Sequence, residues 1–395
     1  MSLNSTPSGE RIHIGLFGNR NAGKSSIINA ITGQSLSIVS DTAGTTTDPV
    51  YKAMELLPLG PVMLIDTPGV DDEGALGRLR VEKALEVLGK TDVALLVTDS
   101  RVPLSSMEQQ LIENFKSRKV PYLVVRNKAD LLDGVPQSTD PNEVYASALT
   151  GLGILELKNR IAALQPKETE RHIISDLLSP LDVVVLVVPI DESAPKGRLI
   201  LPQQLTIRDI LEAGAISVVV KETELEESLR KLGAKPRLVI TDSQVFGVVS
   251  KLVPEDIKLT SFSILMSRYK GTLQPTIEGV RALRQLKEGD TILISEGCTH
   301  HRQCQDIGTV KIPKLLQKYT GKNLHFEFTS GREFPQDLSP YALVVHCGGC
   351  TLNEKEMLSR QQRALSQNVP FTNYGIVLAE GSGILARSLE IFPEF

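Results

Sequence analysis

The sequence lacks tryptophan, has only four cysteines among 395 residues, and contains no apolar run near the roughly 20 residues of a membrane span. Residues 1–10 are polar and do not resemble a signal peptide. Lysine and arginine form no long run and the formal net charge is −4, so a nucleic-acid partner is not indicated. We therefore expect a soluble, cytoplasmic protein that partners neither a membrane nor a nucleic acid.

The chain is long enough for two or three domains with separate cores, because 41% of its 395 residues are hydrophobic. Strand-like and helix-like stretches alternate along it, which predicts an α/β protein with mostly parallel sheets. A charged, proline-containing stretch at 165–171 indicates a linker after the first domain.

All four cysteines lie in the short interval from Cys298 to Cys350. Two of them form Cys-Gly-Gly-Cys at 347–350, and Cys298 begins a Cys-x-His sequence. Three of the six histidines fall in the same two segments: His300, His301 and His346. Buried free thiols or a disulfide are possible for four cysteines, but this clustering favours a metal site, and both zinc and iron–sulfur fit it.

Strand patterns precede both cysteine segments, at 291–294 and 341–345. If these strands are parallel, both segments leave the carboxyl edge of one sheet, where α/β folds bind ligands. Asn353, with Glu356 three residues later, predicts a helix to about residue 365 whose start favours the Cys350 thiolate. The remaining expected elements are helices at 273–286, 312–319 and 383–391 and strands at 324–328 and 374–378.

The N-terminal region carries a phosphate-binding signature. A strand at 11–17 leads into Gly-x-x-x-x-Gly-Lys-Ser at 18–25, and a helix pattern follows. Backbone N–H groups of such a loop wrap the phosphates of a nucleotide. Lys24 would reach the β- and γ-phosphates, and the Ser25 hydroxyl would bind Mg²⁺.

Three further motifs identify the nucleotide. Asp66-Thr-Pro-Gly69 follows a strand and would serve the Mg²⁺ shell and the γ-phosphate. Asn127-Lys128-x-Asp130 follows another strand, and a carboxylate at Asp130 can accept from the two donors of guanine that adenine does not offer. The sequence at 147–149, Ser-Ala-Leu, would complete the guanine loop. The order and spacing of these motifs predict a GTPase.

These motifs resemble the translation-factor-related GTPases near Era, EngA and TrmE. The sequence at 44–48 resembles the switch of that branch, which makes Thr46 the candidate Mg²⁺ threonine. Val70 replaces the catalytic glutamine of Ras-like enzymes, so no residue is assigned to orient the water. Asn21 matches an asparagine that helps to hold K⁺ in related enzymes, and we expect slow, K⁺-stimulated hydrolysis. The expected nucleotide-binding residues are Gly18, Asn21, Ala22, Gly23, Lys24, Ser25, Ser26, Thr46, Asp66, Gly69, Asn127, Lys128, Asp130, Ser147 and Ala148.

The expected architecture is a P-loop GTPase domain at 1–170 followed by two smaller α/β domains with mostly parallel sheets at 171–262 and 263–395. The middle region contains no motif with an assignable chemistry, so it is either a dimerisation module or a spacer. Its expected elements are strands at 183–188, 216–220 and 237–241 and helices at 202–213 and 222–232.

A GTPase followed by Cys298-Thr-His300 and His346-Cys347-Gly-Gly-Cys350 resembles HydF, the GTPase maturase family of FeFe-hydrogenase. The resemblance implies a 4Fe–4S cluster bound by the three cysteines, with His300 or His346 as the possible fourth ligand. It further implies a homo-oligomeric scaffold. This scaffold would receive a diiron precursor made with two radical-SAM maturases and pass it to the FeFe-hydrogenase apoprotein.

Cys304 lies outside the family pattern and receives no ligand role. An alternative interpretation is an Era-like GTPase that acts in ribosome or RNA assembly and has a structural zinc site. The acidic balance and the lack of a basic run count against this alternative.

Overall fold

The computed structural model describes residues 6–33, 48–70, 75–136, 138–164, 171–190, 199–297, 306–331 and 333–395. The chain forms two compact units, Met1–Glu168 and Thr169–Phe395. None of the helices in the described ranges is long and apolar enough to cross a bilayer.

The first unit contains a six-stranded sheet with the strand order β2-β3-β1-β4-β5-β6. All neighbouring strands are parallel except β2 and β3. The strands are β1 Ile12–Phe17, β2 Val50–Leu56, β3 Gly60–Asp66, β4 Val93–Asp99, β5 Tyr122–Asn127 and β6 Glu143–Tyr145. The helices are α1 Lys24–Thr32, α2 Ala75–Leu88, α3 Ser106–Ser117 and α4 Ile154–Ala163.

Helices cover both faces of this sheet, so its central strands are apolar throughout. In β4, Val93, Leu95 and Val97 pack into the core under α1 and α4, whereas Ala94 and Leu96 pack into the core under α2 and α3. This period of two is the side-chain alternation of a strand. The arrangement places the predicted nucleotide motifs at the carboxyl ends of β1, β3, β5 and β6.

The second unit contains two four-stranded sheets, and every strand pair in both is parallel. Their orders are β10-β9-β7-β8 and β12-β11-β13-β14, so the two sheets share one topology. The strands of the first are β7 Val183–Val187, β8 Ile216–Val220, β9 Leu238–Thr241 and β10 Lys258–Ser261. The strands of the second are β11 Thr291–Ser295, β12 His325–Thr329, β13 Leu343–His346 and β14 Phe371–Asn373.

One hydrophobic core connects these two sheets, with Val185 of β7 and Ile292 of β11 among its members. A smaller core containing Leu293 and Val344 lies on the opposite face of the second sheet. The division into domains at 171–262 and 263–395 therefore stays a prediction. The helices of this unit are α5 Leu201–Glu212, α6 Leu225–Lys231, α7 Phe246–Leu252, α8 Phe262–Tyr269, α9 Leu273–Val280, α10 Ile312–Thr320, α11 Glu354–Ser366, α12 Tyr374–Gly381 and α13 Leu385–Leu389.

The prediction of a strand at 374–378 was wrong, because this stretch is the start of helix α12. The Asn373 side chain caps the helix by accepting the backbone N–H of Ile376 at 2.8 Å. Most of the helix is buried, so its apolar residues show no amphipathic period, and a short apolar run cannot distinguish a buried strand from a buried helix. Two other predicted helices are shorter than expected: α9 ends at Val280, and α13 spans only Leu385–Leu389.

Candidate nucleotide and metal sites

The phosphate loop between β1 and α1 has a backbone that few side chains permit. Gly18, Asn21 and Gly23 all have positive φ angles. A Cβ atom at Gly23 would lie 2.1 Å from Nδ2 of Asn127, so only glycine fits there. The buried Lys24 ammonium donates to the carbonyl oxygens of Gly18 at 2.9 Å and Asn19 at 2.8 Å. A cation and a helix start together form an anion-binding site.

The two side chains expected at Mg²⁺ lie in contact. The Ser25 hydroxyl donates to Oδ2 of Asp66 at 2.5 Å. Burial raises the pKa of Asp66, and the hydrogen bond from Ser25 and the charge of Lys24 oppose this effect. A divalent cation would stabilise the ionised carboxylate further. Gly69 packs against the phosphate loop, since a Cβ there would lie 2.7 Å from the backbone nitrogen of Arg20.

One side chain joins three of the predicted motifs. Asn127 donates through Nδ2 to the carbonyl oxygen of Ala22 at 2.9 Å and accepts through Oδ1 from the N–H of Ala148 at 3.1 Å. Ser147 is buried, and its hydroxyl accepts the N–H of Thr150 at 3.1 Å. The phosphate loop and the guanine loops are therefore fixed to each other by hydrogen bonds.

The predicted guanine-recognition segment at 127–130 is stabilised by an acidic residue that none of the sequence motifs includes. Lys128 has a left-handed backbone, and its ammonium pairs with Asp99 at 2.9 Å. Hydrogen bonds from Arg101 and Lys128 hold the pKa of Asp99 well below its usual range. Asp130 follows in a 3₁₀ turn, Ala129–Leu131. The position of Asp99 at the end of β4, beside the end of β5, is the signal that identifies it in the fold.

The remaining predicted nucleotide-binding residues are Asn21, Ser26 and Thr46. Asn21 is exposed on the loop and Ser26 is partly buried in the first turn of α1. Val70 is 1% exposed, so an apolar, buried side chain occupies the position of the Ras-like glutamine. Thr46 lies outside the described residues.

Strands β11 and β13 are parallel neighbours, with Ser295 in register with His346, so the condition for both cysteine segments to leave one edge of the sheet is met. The loop 347–352, here called the cysteine loop, thus begins at the carboxyl edge of the sheet. The N–H of Cys347 donates to the carbonyl oxygen of Ser295 at 2.8 Å. Backbone N–H groups of Gly297 and Gly349 donate to the Cys347 sulfur at 3.0 and 3.3 Å.

The cysteine loop is stabilised by contacts that no motif indicates. The ammonium of Lys270 donates to the carbonyl oxygen of Gly349 at 2.8 Å and to that of Leu352. The hydroxyl of Thr351 donates to the carbonyl oxygen of Gly297 at 2.8 Å. Gly349 has a positive φ, and a Cβ there would lie 2.3 Å from the sulfur of Met357. These contacts fix the loop against both Gly297 and helix α11.

Burial controls the ionisation of both cysteines in the loop. It raises the pKa of Cys347 to about 11, against the N–H donors of Gly297 and Gly349. Burial also raises the pKa of Cys350, and the charge of Lys270 opposes that shift. We expected the following helix to favour the Cys350 thiolate, but α11 begins only at Glu354 and burial has the larger effect. A bound metal ion would deprotonate a coordinating thiol outright.

His346 is completely buried and has a hydrogen-bond partner at each ring nitrogen. Its Nδ1 donates to the carbonyl oxygen of Cys347 at 2.8 Å, and its Nε2 accepts from Arg360 at 3.1 Å. The ring stacks on Phe371 with centroids 5.8 Å apart. Burial, followed by the Arg360 charge, lowers the pKa of His346 to about 3, so the ring is neutral. With both nitrogens engaged, this arrangement weighs against His346 as an iron ligand.

The other proposed ligands, Cys298 and His300, lie outside the described residues, as does Cys304. Among the residues that the structure describes, no group of three or more histidine, cysteine, aspartate or glutamate side chains is placed to hold a metal ion. Cys347 and Cys350 are therefore the two candidate cysteine ligands that lie within the described residues.

Three protein-family models match the chain. A "50S ribosome-binding GTPase" model matches residues 13–128. A "Hydrogen maturase F dimerization domain" model matches 173–271, and a "Hydrogen maturase F tetramerization domain" model matches 274–391. The last two together cover most of the second compact unit.

Two curated GTPases each match 39% of this chain. The tRNA modification GTPase MnmE of Xanthomonas euvesicatoria is 38% identical over 154 residues, which covers 39% of this chain and 34% of that protein. The GTPase Era of Carboxydothermus hydrogenoformans is 30% identical over 165 residues, covering 39% of this chain and 55% of that protein. The chain thus spans about a third to about half of the length of these relatives.

Solved structures of GTPases are also similar. A crystal structure of Era in complex with MgGDPNP and 16S ribosomal RNA is 21% identical, with a TM-score of 0.35, covering 56% of this chain and 97% of that one. The cytosolic domain of the T. maritima FeoB iron transporter is 22% identical, with a TM-score of 0.32, covering 40% of this chain and 65% of that one.

Proposed function

The chain belongs to the hydrogen maturase F family, and from this membership we propose that it is a GTP-hydrolysing maturation factor that carries a 4Fe–4S cluster and delivers a diiron precursor to FeFe-hydrogenase. Its partners would be the FeFe-hydrogenase apoprotein and two radical-SAM maturases. The GTPase domain supports binding of GTP with Mg²⁺.

The contact between Gly297 and the cysteine loop carries the proposal of a cluster. The N–H of Gly297 donates to the Cys347 sulfur at 3.0 Å, and its carbonyl oxygen accepts from Thr351 at 2.8 Å. Gly297 therefore lies against the cysteine loop, and Cys298 is the next residue in the sequence.

The described surroundings fit an iron–sulfur group. Two backbone N–H groups point at the Cys347 sulfur, and hydrogen bonds to sulfur are one means by which proteins tune such clusters. A cubane cluster held by three thiolates offers a fourth iron with an exchangeable ligand, which a carrier requires. Cys298, Cys347 and Cys350 would hold it, and His346 would orient the loop through Cys347 rather than bind iron.

In the first unit, Lys24 and the loop N–H groups would bind the phosphates, and Ser25, Asp66 and Thr46 would complete the Mg²⁺ shell. Asp130 would accept the guanine donors. Val70 is apolar and cannot orient a water, so we propose that K⁺, held partly by Asn21, supplies charge at the phosphates during slow hydrolysis. GTP would act as a switch rather than take part in the chemistry of delivery.

The family models of dimerization and tetramerization domains support an oligomer. Strand β8 lies at the edge of its sheet, with Ile216 44% and Val219 46% exposed. An apolar edge strand pairs readily with another chain. We propose that β8 contributes to the dimer.

The proposal is tested by metal analysis and EPR of anaerobically purified protein. We expect brown protein with iron and sulfide near four per chain, and a reduced-cluster EPR signal. Colourless protein with bound zinc and no iron would contradict the proposal and restore the alternative of an Era-like assembly GTPase. A second assay would measure activation of hydrogenase apoprotein together with the two radical-SAM maturases.

A further inference from the structure

Lys270 is a buried lysine whose ammonium reaches the cysteine loop. Only 2% of its surface is exposed. It follows helix α8 and donates to the carbonyl oxygens of Gly349 at 2.8 Å and of Leu352. These two carbonyls flank Cys350. A shift of the Lys270 side chain would therefore move the backbone on both sides of this cysteine.

Burial of an ammonium group costs several kcal/mol unless hydrogen bonds and opposite charge compensate it. The ionisable groups of the cysteine loop are the thiols of Cys347 and Cys350, which become anionic when they bind a metal. The two carbonyl contacts place the Lys270 ammonium beside the segment that carries these thiols.

We propose that Lys270 is a positioning residue of the metal centre. Its ammonium group fixes the cysteine loop through hydrogen bonds and supplies a positive charge beside the thiolates of that loop. The inference rests on the proposed function, because it requires that the loop bind a metal. Loss of a group that holds or orients metal ligands without binding the metal itself typically changes metal affinity by about 10- to 100-fold.

The same contact joins two parts of the second unit. Lys270 lies in the range of the dimerization-domain model, whereas Gly349 and Leu352 lie in that of the tetramerization-domain model. Arg171 reinforces the junction, because its guanidinium donates to the carbonyl oxygen of Tyr269 at 3.3 Å and pairs with Glu354 at 2.7 Å. The chain around Lys270 is thus fixed to the start of α11, which follows the cysteine loop.

The test compares Lys270→Met and Lys270→Arg with wild-type protein. The methionine variant retains length but loses the charge, whereas arginine retains the charge with altered geometry. Lys322→Met is the matched control, since Lys322 also donates to a backbone carbonyl, that of Leu286, but lies just before β12 at the opposite edge of the sheet. Two quantities are measured: the rate of iron loss to a chelator and the midpoint reduction potential.

We expect Lys270→Met to lose iron about tenfold faster or more, and to show a more negative potential, because the lost charge no longer stabilises the reduced cluster. Lys270→Arg should keep a potential near that of the wild type, and Lys322→Met should match the wild type in both measurements. If Lys270→Met does not fold by circular dichroism, Lys270→Gln replaces it with the same expectations.

Unchanged iron loss and potential in the neutral variant would overturn the inference. Faster iron loss without a change in potential would overturn the role of the charge. If the wild-type protein binds zinc instead, the proposed function fails, and the ratio of zinc-release rates between variant and wild type decides the positioning role. If the wild-type protein binds neither metal, both the proposed function and this inference are overturned.

Discussion

The nucleotide site and the cysteine loop differ in where their supporting contacts come from. In the nucleotide site, the predicted motifs hold each other: Ser25 contacts Asp66, and Asn127 contacts Ala22 and Ala148. In the cysteine loop, several supporting groups lie outside the motif. They come from the end of helix α8, from the segment after β11 and from helix α11.

This difference follows from what each site has to do. A phosphate loop binds through its own backbone N–H groups, so its conformation is largely encoded within it. The ligands of a metal-binding loop are oriented and shielded from solvent by the groups around them, and residues distant in the sequence supply part of that environment. Substitutions far from the motif should therefore affect the cysteine loop more than the phosphate loop.

The largest expected effect comes from removing single thiols. Cys298→Ser, Cys347→Ser and Cys350→Ser should each lose most of the bound iron, because serine is a poor ligand for iron in a cluster. Cys304→Ser should retain the cluster, since Cys304 stands outside the family pattern. Iron content and EPR of anaerobic protein are the measurements. Equal loss in Cys304→Ser would indicate a closed site of four thiolates and no exchangeable iron.

The next effect concerns the nucleotide site, where one substitution should disconnect three motifs. Asn127→Ala removes hydrogen bonds to Ala22 and Ala148 in a buried position. A typical hydrogen bond contributes about 0.5–1.5 kcal/mol, so the two together contribute about 1–3 kcal/mol, and GTP affinity should fall by about ten- to hundredfold. Titration calorimetry measures this affinity. Asn114→Ala is the control, because the side chain of Asn114 donates to the carbonyl oxygen of Gln110 within α3. Unchanged affinity in Asn127→Ala would contradict the bridging role.

The smallest effect is the choice of monovalent cation. GTP hydrolysis should be a few-fold faster in K⁺ than in Na⁺, and Asn21→Ala should abolish the difference, because Asn21 is exposed on the phosphate loop where a cation could contact it. The measurement is phosphate release in matched chloride salts. Equal wild-type rates in the two salts would remove K⁺ from the mechanism and leave the water-orienting group to be sought elsewhere.

The sequence predicted the first unit well, because its signals are local. The phosphate loop lies between a strand and a helix as expected, and the guanine segment follows β5. The strands β11 and β13 were also expected from the apolar runs that precede the cysteine segments, and their parallel pairing meets the condition under which both segments leave one edge of the sheet. In each case the physical cause, a buried strand followed by a polar loop, acts over a few residues.

The failures share a different cause, which is contact between distant parts of the chain. Lys270 is 79 residues from Gly349, and no pattern links them. The hydrogen bond from Arg360 to Nε2 of His346 likewise joins residues that no pattern links, and the role of His346 as a ligand stays a prediction. Helix α12 was taken for a strand because burial on most sides removes its amphipathic period.

The most direct test of the account is a crossed measurement of GTP hydrolysis and iron content in Lys24→Ala and Cys347→Ser. The contacts of Lys24 lie within the first unit and those of Cys347 within the second. Lys24→Ala should therefore lose GTP hydrolysis and keep its iron, whereas Cys347→Ser should lose iron and keep hydrolysis. Circular dichroism confirms the fold of each variant. Loss of both properties in either folded variant would contradict the account.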